Sequence, residues 1–115
     1  MEQSTKIILP MSKLAKSKGD DYTDHCSWFS ITDYDTLDDD DIRPSVDDIL
    51  KIVVEEVGQL RGRSRRVFLG GFGQGGIVAF STFLRYNQDV LGGCFVVNGF
   101  AMLDFDWKQI NIPQK

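Results

Sequence analysis

Apolar and polar positions along this chain alternate between short continuous runs and helical spacing. Residues 6–9, KIIL, form a brief apolar run closed by Pro10, the pattern of a buried strand ending in a loop. Residues 11–34 are polar and irregular, interrupted by CSWF at 26–29. From there the spacing changes. Ile42, Val46, Ile49, Leu50, Val53, Val54, Val57 and Leu60 recur at intervals of three and four, which predicts one face of a helix. Asp40 or Asp41 is placed to cap its start, and Pro44 is tolerable in a first turn. RVFLGGF, residues 66–72, reads as a second buried strand. Residues 75–87 read as a helix with Ile77, Phe80, Phe83 and Leu84 facing the core, and residues 94–97 as a third strand.

Strands alternating with helices imply βαβ units and a parallel sheet with right-handed crossovers. The expectation is an α/β fold in a single domain over residues 1–115, with a short, mostly parallel sheet of about three strands flanked by helices. No internal repeat is visible.

Composition narrows the partners. The 115 residues are 42% hydrophobic and 26% charged, ordinary for a globular chain with a small core. A net charge of -4 argues against nucleic acid as a partner. Cys26 and Cys94 read as reduced thiols, and no basic leader with a long apolar stretch opens the chain. An intracellular, cytoplasmic protein without a transmembrane segment, metal or cofactor is therefore expected. The acidic block DYDTLDDDD (33–41) precedes the predicted helix and RGRSRR (61–66) follows it, so both complement its dipole. A second reading makes Arg61, Arg63, Arg65 and Arg66 a patch for phosphate or an acidic partner.

The decisive stretch is VFLGGFGQGG, residues 67–76, a strand entering a knot of glycines before a helix. Gly71, Gly73 and Gly76 satisfy the G-x-G-x-x-G spacing that seats a pyrophosphate on helix N–H groups. That fingerprint wants an acidic residue closing the following strand, and here Asn98 and Gly99 stand there. The other reading is a nucleophile elbow, G-x-S-x-G, in which Gly71 and Gly75 permit a tight turn around its tip. The tip is Gly73, which carries no hydroxyl.

The string resembles the elbow of the acyl-protein thioesterase and carboxylesterase/lysophospholipase family, which reads G-G-F-S-Q-G-G. KIILP, the SWF of Ser27, Trp28 and Phe29, and GCFVVNGF resemble the family's neighbouring elements in the same order. The likeness covers nearly the whole chain but about the middle half of a family member. It implies an α/β-hydrolase fold and cleavage of acyl esters or thioesters by serine, histidine and aspartate. It also implies an oxyanion-hole donor at the backbone N–H of Gln74, elbow glycines at Gly71, Gly75 and Gly76, and a vestigial acyl groove at Trp28 and Phe29.

The departures are chemical. Gly73 stands where the family has serine. The one histidine, His25, precedes the elbow, whereas hydrolase chains run serine, acid, histidine. Asp104 and Asp106 arrive earlier than the family acid. No glycine-rich oxyanion loop precedes Lys6, so the roughly 10³–10⁴-fold residual rate of an intact hole is not expected. Cys94 lies in a predicted buried strand, Cys26 beside His25, and Ser81 in mid-helix, so none replaces the nucleophile. In the family's sheet a strand lies between the equivalents of KIIL and VFLGG; here those two either pair directly or receive another polypeptide.

The expectation is a catalytically inactive, thioesterase-like structural or binding subunit that associates with other proteins or itself. The alternatives are an active carboxylic-ester or thioester hydrolase completed by residues outside the chain, and a nucleotide-binding module using residues 71–76.

Overall fold

The computed structural model describes residues 4–15, 25–29 and 39–99. Strand β1 (Leu14–Ala15) pairs antiparallel with β2 (His25–Cys26), a two-residue ladder. Helix α1 spans Asp39–Gln59. Strand β3 (Phe68–Phe72), helix α2 (Gln74–Arg85) and strand β4 (Gly93–Val97) then form one unit, with β3 and β4 parallel and α2 as the crossover. Among the described residues this is a partial α/β fold, with two parallel strands and two α-helices.

The three-and-four spacing does build α1. Ile42, Val46, Ile49 and Val53 are buried, with Leu50 and Val57 packed beside them. Val54 is an exception, exposed on the outer side at 44%. The helix begins at Asp39, so Asp40 and Asp41 lie within its first turn, past the N-cap position, and Pro44 falls beyond that turn. Its other end is closed by a paired hydrogen-bond motif. Gly62 N–H donates to the Val57 carbonyl at 2.9 Å and Arg61 N–H to that of Gly58 at 3.0 Å. Arg61, the residue that the Schellman arrangement holds left-handed, takes φ +58°, and Gly62 follows it at φ +82°. A 3₁₀ turn (Ser64–Arg66) leads into β3, and the buried Ser64 hydroxyl donates to the Val90 carbonyl at 2.6 Å.

Helix α2 packs on one face of the β3–β4 pair, and α1 packs against α2. The core runs through Phe29, Ile42, Val46, Ile49, Val53, Ile77, Val78, Tyr86 and Leu91. Because α2 is covered from two sides, its buried positions are Gly76, Ile77, Val78, Ala79, Ser81 and Thr82. Of the predicted stripe, Ile77 is buried, while Phe83 and Leu84 are half-buried beside the core.

The expected strand at residues 6–9 does not form. Residues 4–10 make no ladder, and Ile7 and Leu9 are 77% and 85% exposed. The segment is held by the Lys6 ammonium on the Glu56 carboxylate at 2.9 Å. A cleft of about 840 Å³, lined in part by Ile8, Leu9, Trp28, Ile49, Val53 and Leu69, separates it from β3. An apolar run becomes a strand only where an edge accepts its backbone. The sheet described is therefore two-stranded, not three-stranded, and KIIL and VFLGG do not pair directly.

Candidate functional site

The turn from β3 to α2 is a single residue wide. Phe72 ends the strand, Gln74 opens the helix, and Gly73 between them takes φ +57° and ψ −124°. Those angles lie outside the regions open to residues with a Cβ, and glycine adopts them without that penalty. Two backbone bonds fix the tip: Gly73 N–H donates to the Val97 carbonyl at 2.9 Å, and Ile77 N–H to the Gly73 carbonyl at 3.1 Å.

The neighbouring glycines are needed for contact. A Cβ on Gly71 would overlap the Gly75 carbonyl, and one on Gly76 would lie 2.7 Å from the Val96 side chain. Gly75 is different, since its Cβ would meet only the Trp28 indole nitrogen at 3.6 Å. A Cβ on Gly73 would find nothing within 4 Å. The tip therefore points into open space, as a raised nucleophile would, yet it carries only hydrogen.

Gln74 does something its sequence position did not announce. Its side-chain amide accepts from Trp28 N–H at 3.2 Å and donates to the Phe29 carbonyl at 3.1 Å. The Ser45 hydroxyl of α1 donates to the Trp28 carbonyl. The Trp28–Phe29 backbone is thus clamped between the elbow and α1. Phe29 is a core residue, 4% exposed, while half-buried Trp28 lines the cleft beside Gly71 and Gly75. Hydrogen-bonding side chains at both Gln74 and Ser45 were the available signal, but nothing in the order of residues joins them to position 28.

The remaining candidates separate from the turn. Ser81 is buried on α2, 3% exposed and closed to a substrate. Cys94 is half-buried on β4, and burial pushes its thiol pKa up, which keeps it protonated and unreactive. His25 is placed by its backbone opposite Ala15. Asp104 and Asp106 lie outside the described residues. Arg61, Arg63, Arg65 and Arg66 are exposed beyond the end of α1. Past β4 come Asn98, at φ +57°, and Gly99, so no carboxylate closes that strand for a ribose. Among the described residues no cluster of three or more histidine, cysteine, aspartate or glutamate side chains is arranged to hold a metal. No described helix is long and apolar enough to cross a membrane.

Comparison with known proteins agrees with the turn. The chain is 29% identical over 80 residues to acyl-protein thioesterase 1 homolog 1 of Dictyostelium discoideum, covering 67% of this chain and 35% of that protein. The chain thus matches about a third of the length of that curated relative. The phospholipase/carboxylesterase family profile matches residues 2–115, nearly end to end. With a one-residue strand–helix turn walled by obligatory glycines, this chain belongs to the phospholipase/carboxylesterase family of α/β-hydrolases.

Proposed function

We propose that Gly73 occupies the nucleophile position of an esterase/thioesterase-like hydrolase, and that the chain binds or scaffolds without cleaving acyl bonds. The observation that carries this reading is the open space beyond Gly73 at a positive-φ tip, a place shaped for a reactive side chain and holding none. The relative's name, acyl-protein thioesterase, supplies the ancestral chemistry: a serine oxygen attacks the acyl carbonyl after giving its proton to histidine. Without an attacking atom that sequence cannot begin. The backbone N–H of Gln74, at the first position of α2, is the single oxyanion donor that this reading retains. The cleft beside Trp28 and Gly71 remains as a vestigial groove.

Glycine at the tip also relieves strain. A residue with a Cβ held at such angles costs on the order of 1–3 kcal/mol, so loss of catalysis and gain of stability run together. Treating the protein with a fluorophosphonate probe, an acyl thioester and a p-nitrophenyl ester tests the reading. No label and no turnover above buffer are expected. Covalent labelling of any residue, located by mass spectrometry, would establish a working hydrolase instead.

A further inference from the structure

The cleft beside β3 has the edge of that strand for one wall. Every residue from 67 to 72 lines it and no residue of β4 does, so it runs along the side of β3 away from β4. The backbone fixes which groups look into it. Successive residues of a strand direct their N–H and C=O groups to opposite edges. The Val67 carbonyl accepts from Gly92 N–H at 2.8 Å and Gly73 N–H donates to the Val97 carbonyl at 2.9 Å, so positions 67, 69, 71 and 73 serve β4. Phe68, Gly70 and Phe72 therefore aim their backbone groups into the cleft. Among the described residues those groups have no hydrogen-bond partner. Residues 4–10, across the cleft, likewise make no backbone hydrogen bond among the described residues. Ile49, Ile52 and Val53 of α1, with Val78 and Ala79 of α2, supply an apolar lining between the two walls. Arg66 lines the same cleft without an ion-pair partner among the described residues, whereas Lys6 is held by Glu56.

We propose that this cleft receives an extended segment of another protein, which adds a strand to the open edge of β3. The segment is the partner in the proposed binding role and rests on that role; turnover in the assays above would end the role, while peptide binding is read separately. Backbone groups select the occupant. A row of outward N–H and C=O groups is matched by a second extended backbone. A lipid chain has no such groups, and a helix has already paired its own. Side chains select the sequence. Alternate residues of the inserted strand meet the apolar lining from α1 and α2, so the segment needs an apolar residue at every second position. At one end it needs a carboxylate for the Arg66 guanidinium. A second copy fits poorly: residues 4–10 wall the cleft against a folded molecule, and its own strand-like run at residues 6–9 brings Lys6 and no acid.

Amide hydrogen exchange read by NMR is the first test. In the protein alone, the amides of Phe68, Gly70 and Phe72 should exchange fast and those of Leu69 and Gly71 slowly. Slow exchange at every one of them would mean that this chain or its copy already fills the cleft, and would overturn the proposal. A displayed library of random peptides of about twelve residues, longer than an ordinary strand, is then selected on the protein. Enriched sequences should alternate apolar residues and carry Asp or Glu at one end. A synthetic peptide of the best sequence, at about ten times its dissociation constant, should slow exchange at Phe68, Gly70 and Phe72 roughly tenfold. Phe68→Pro removes an inward N–H at the first residue of the strand, where proline is tolerated, and should bind about tenfold more weakly than Phe68→Ala. Arg66→Gln should abolish the weakening of binding by salt, a readout independent of how the proline variant folds. A library without binders overturns the proposal. So do peptides that leave the three amides fast, bind the proline and alanine variants equally, or keep their salt response in Arg66→Gln.

Discussion

Gly71 and Gly75 approach so closely that a side chain on Gly71 would occupy the space of the Gly75 carbonyl. Two residues further on, at Gly73, the same added atom would meet nothing. The elbow is therefore rigid at its flank and vacant at its tip, and that contrast makes its two positions respond oppositely to substitution.

Gly71→Ala forces backbone apart, because the obstructing atoms belong to the chain and not to a flexible side chain. A loss of about 3 kcal/mol is expected. Gly73→Ser meets no clash and pays only for its angles, about 1–3 kcal/mol. Urea unfolding of both variants checks the order. Equal losses, or a milder effect at Gly71, would show that the close approach is not what holds the turn.

The Gln74 clamp predicts a local effect with an optical signature. Gln74→Ala removes the acceptor for Trp28 N–H and the donor to the Phe29 carbonyl, leaving part-buried backbone groups unpaired. The cost is about 1–3 kcal/mol, with a red shift in tryptophan emission as Trp28 loosens from Gly75. Gln74→Glu keeps the acceptor alone at neutral pH, so its loss should fall between those of wild type and alanine.

Much of this arrangement was legible beforehand, for physical reasons that also explain the gaps. Helical periodicity is a local property, so Ile42, Val46, Ile49 and Val53 announced α1. The elbow was legible because close backbone approach restricts residue type, which Gly71 and Gly76 display. KIIL was misleading because a strand is made by its neighbour. Residues 6–9 have strand composition, but their side chains stand exposed and Lys6 ties the segment to α1. The bonds from Gln74 to Trp28 and Phe29 span about 45 residues, and no periodicity records a contact of that range.

Arg61 sits at a left-handed position that closes α1, where a Cβ costs roughly 1–2 kcal/mol. Arg61→Gly removes that cost while adding some unfolded-chain entropy, so a net gain of about 0.5–1 kcal/mol is expected. Thermal unfolding should show a higher midpoint. A lower one would mean that the arginine's charge at the end of the helix outweighs its backbone strain.

Half-buried Cys94 and buried Tyr86 are expected to weaken the fold at alkaline pH. Burial raises the Cys94 thiol, and burial followed by the charge of Asp89 raises the Tyr86 phenol. In each case the folded chain holds its proton more tightly than the unfolded one. The associated stability is complete below the unfolded value and drains away as pH climbs through the folded one. Loss should therefore begin above about pH 8.5 from Cys94 and deepen above about pH 10 from Tyr86. Cys94→Ser, which does not titrate there, should flatten the first part of the decline and leave the second. Urea midpoints measured at about pH 7, 9 and 10.5 distinguish these parts. An unaltered slope between the first two in the serine variant would show that the thiol's burial does not govern alkaline unfolding.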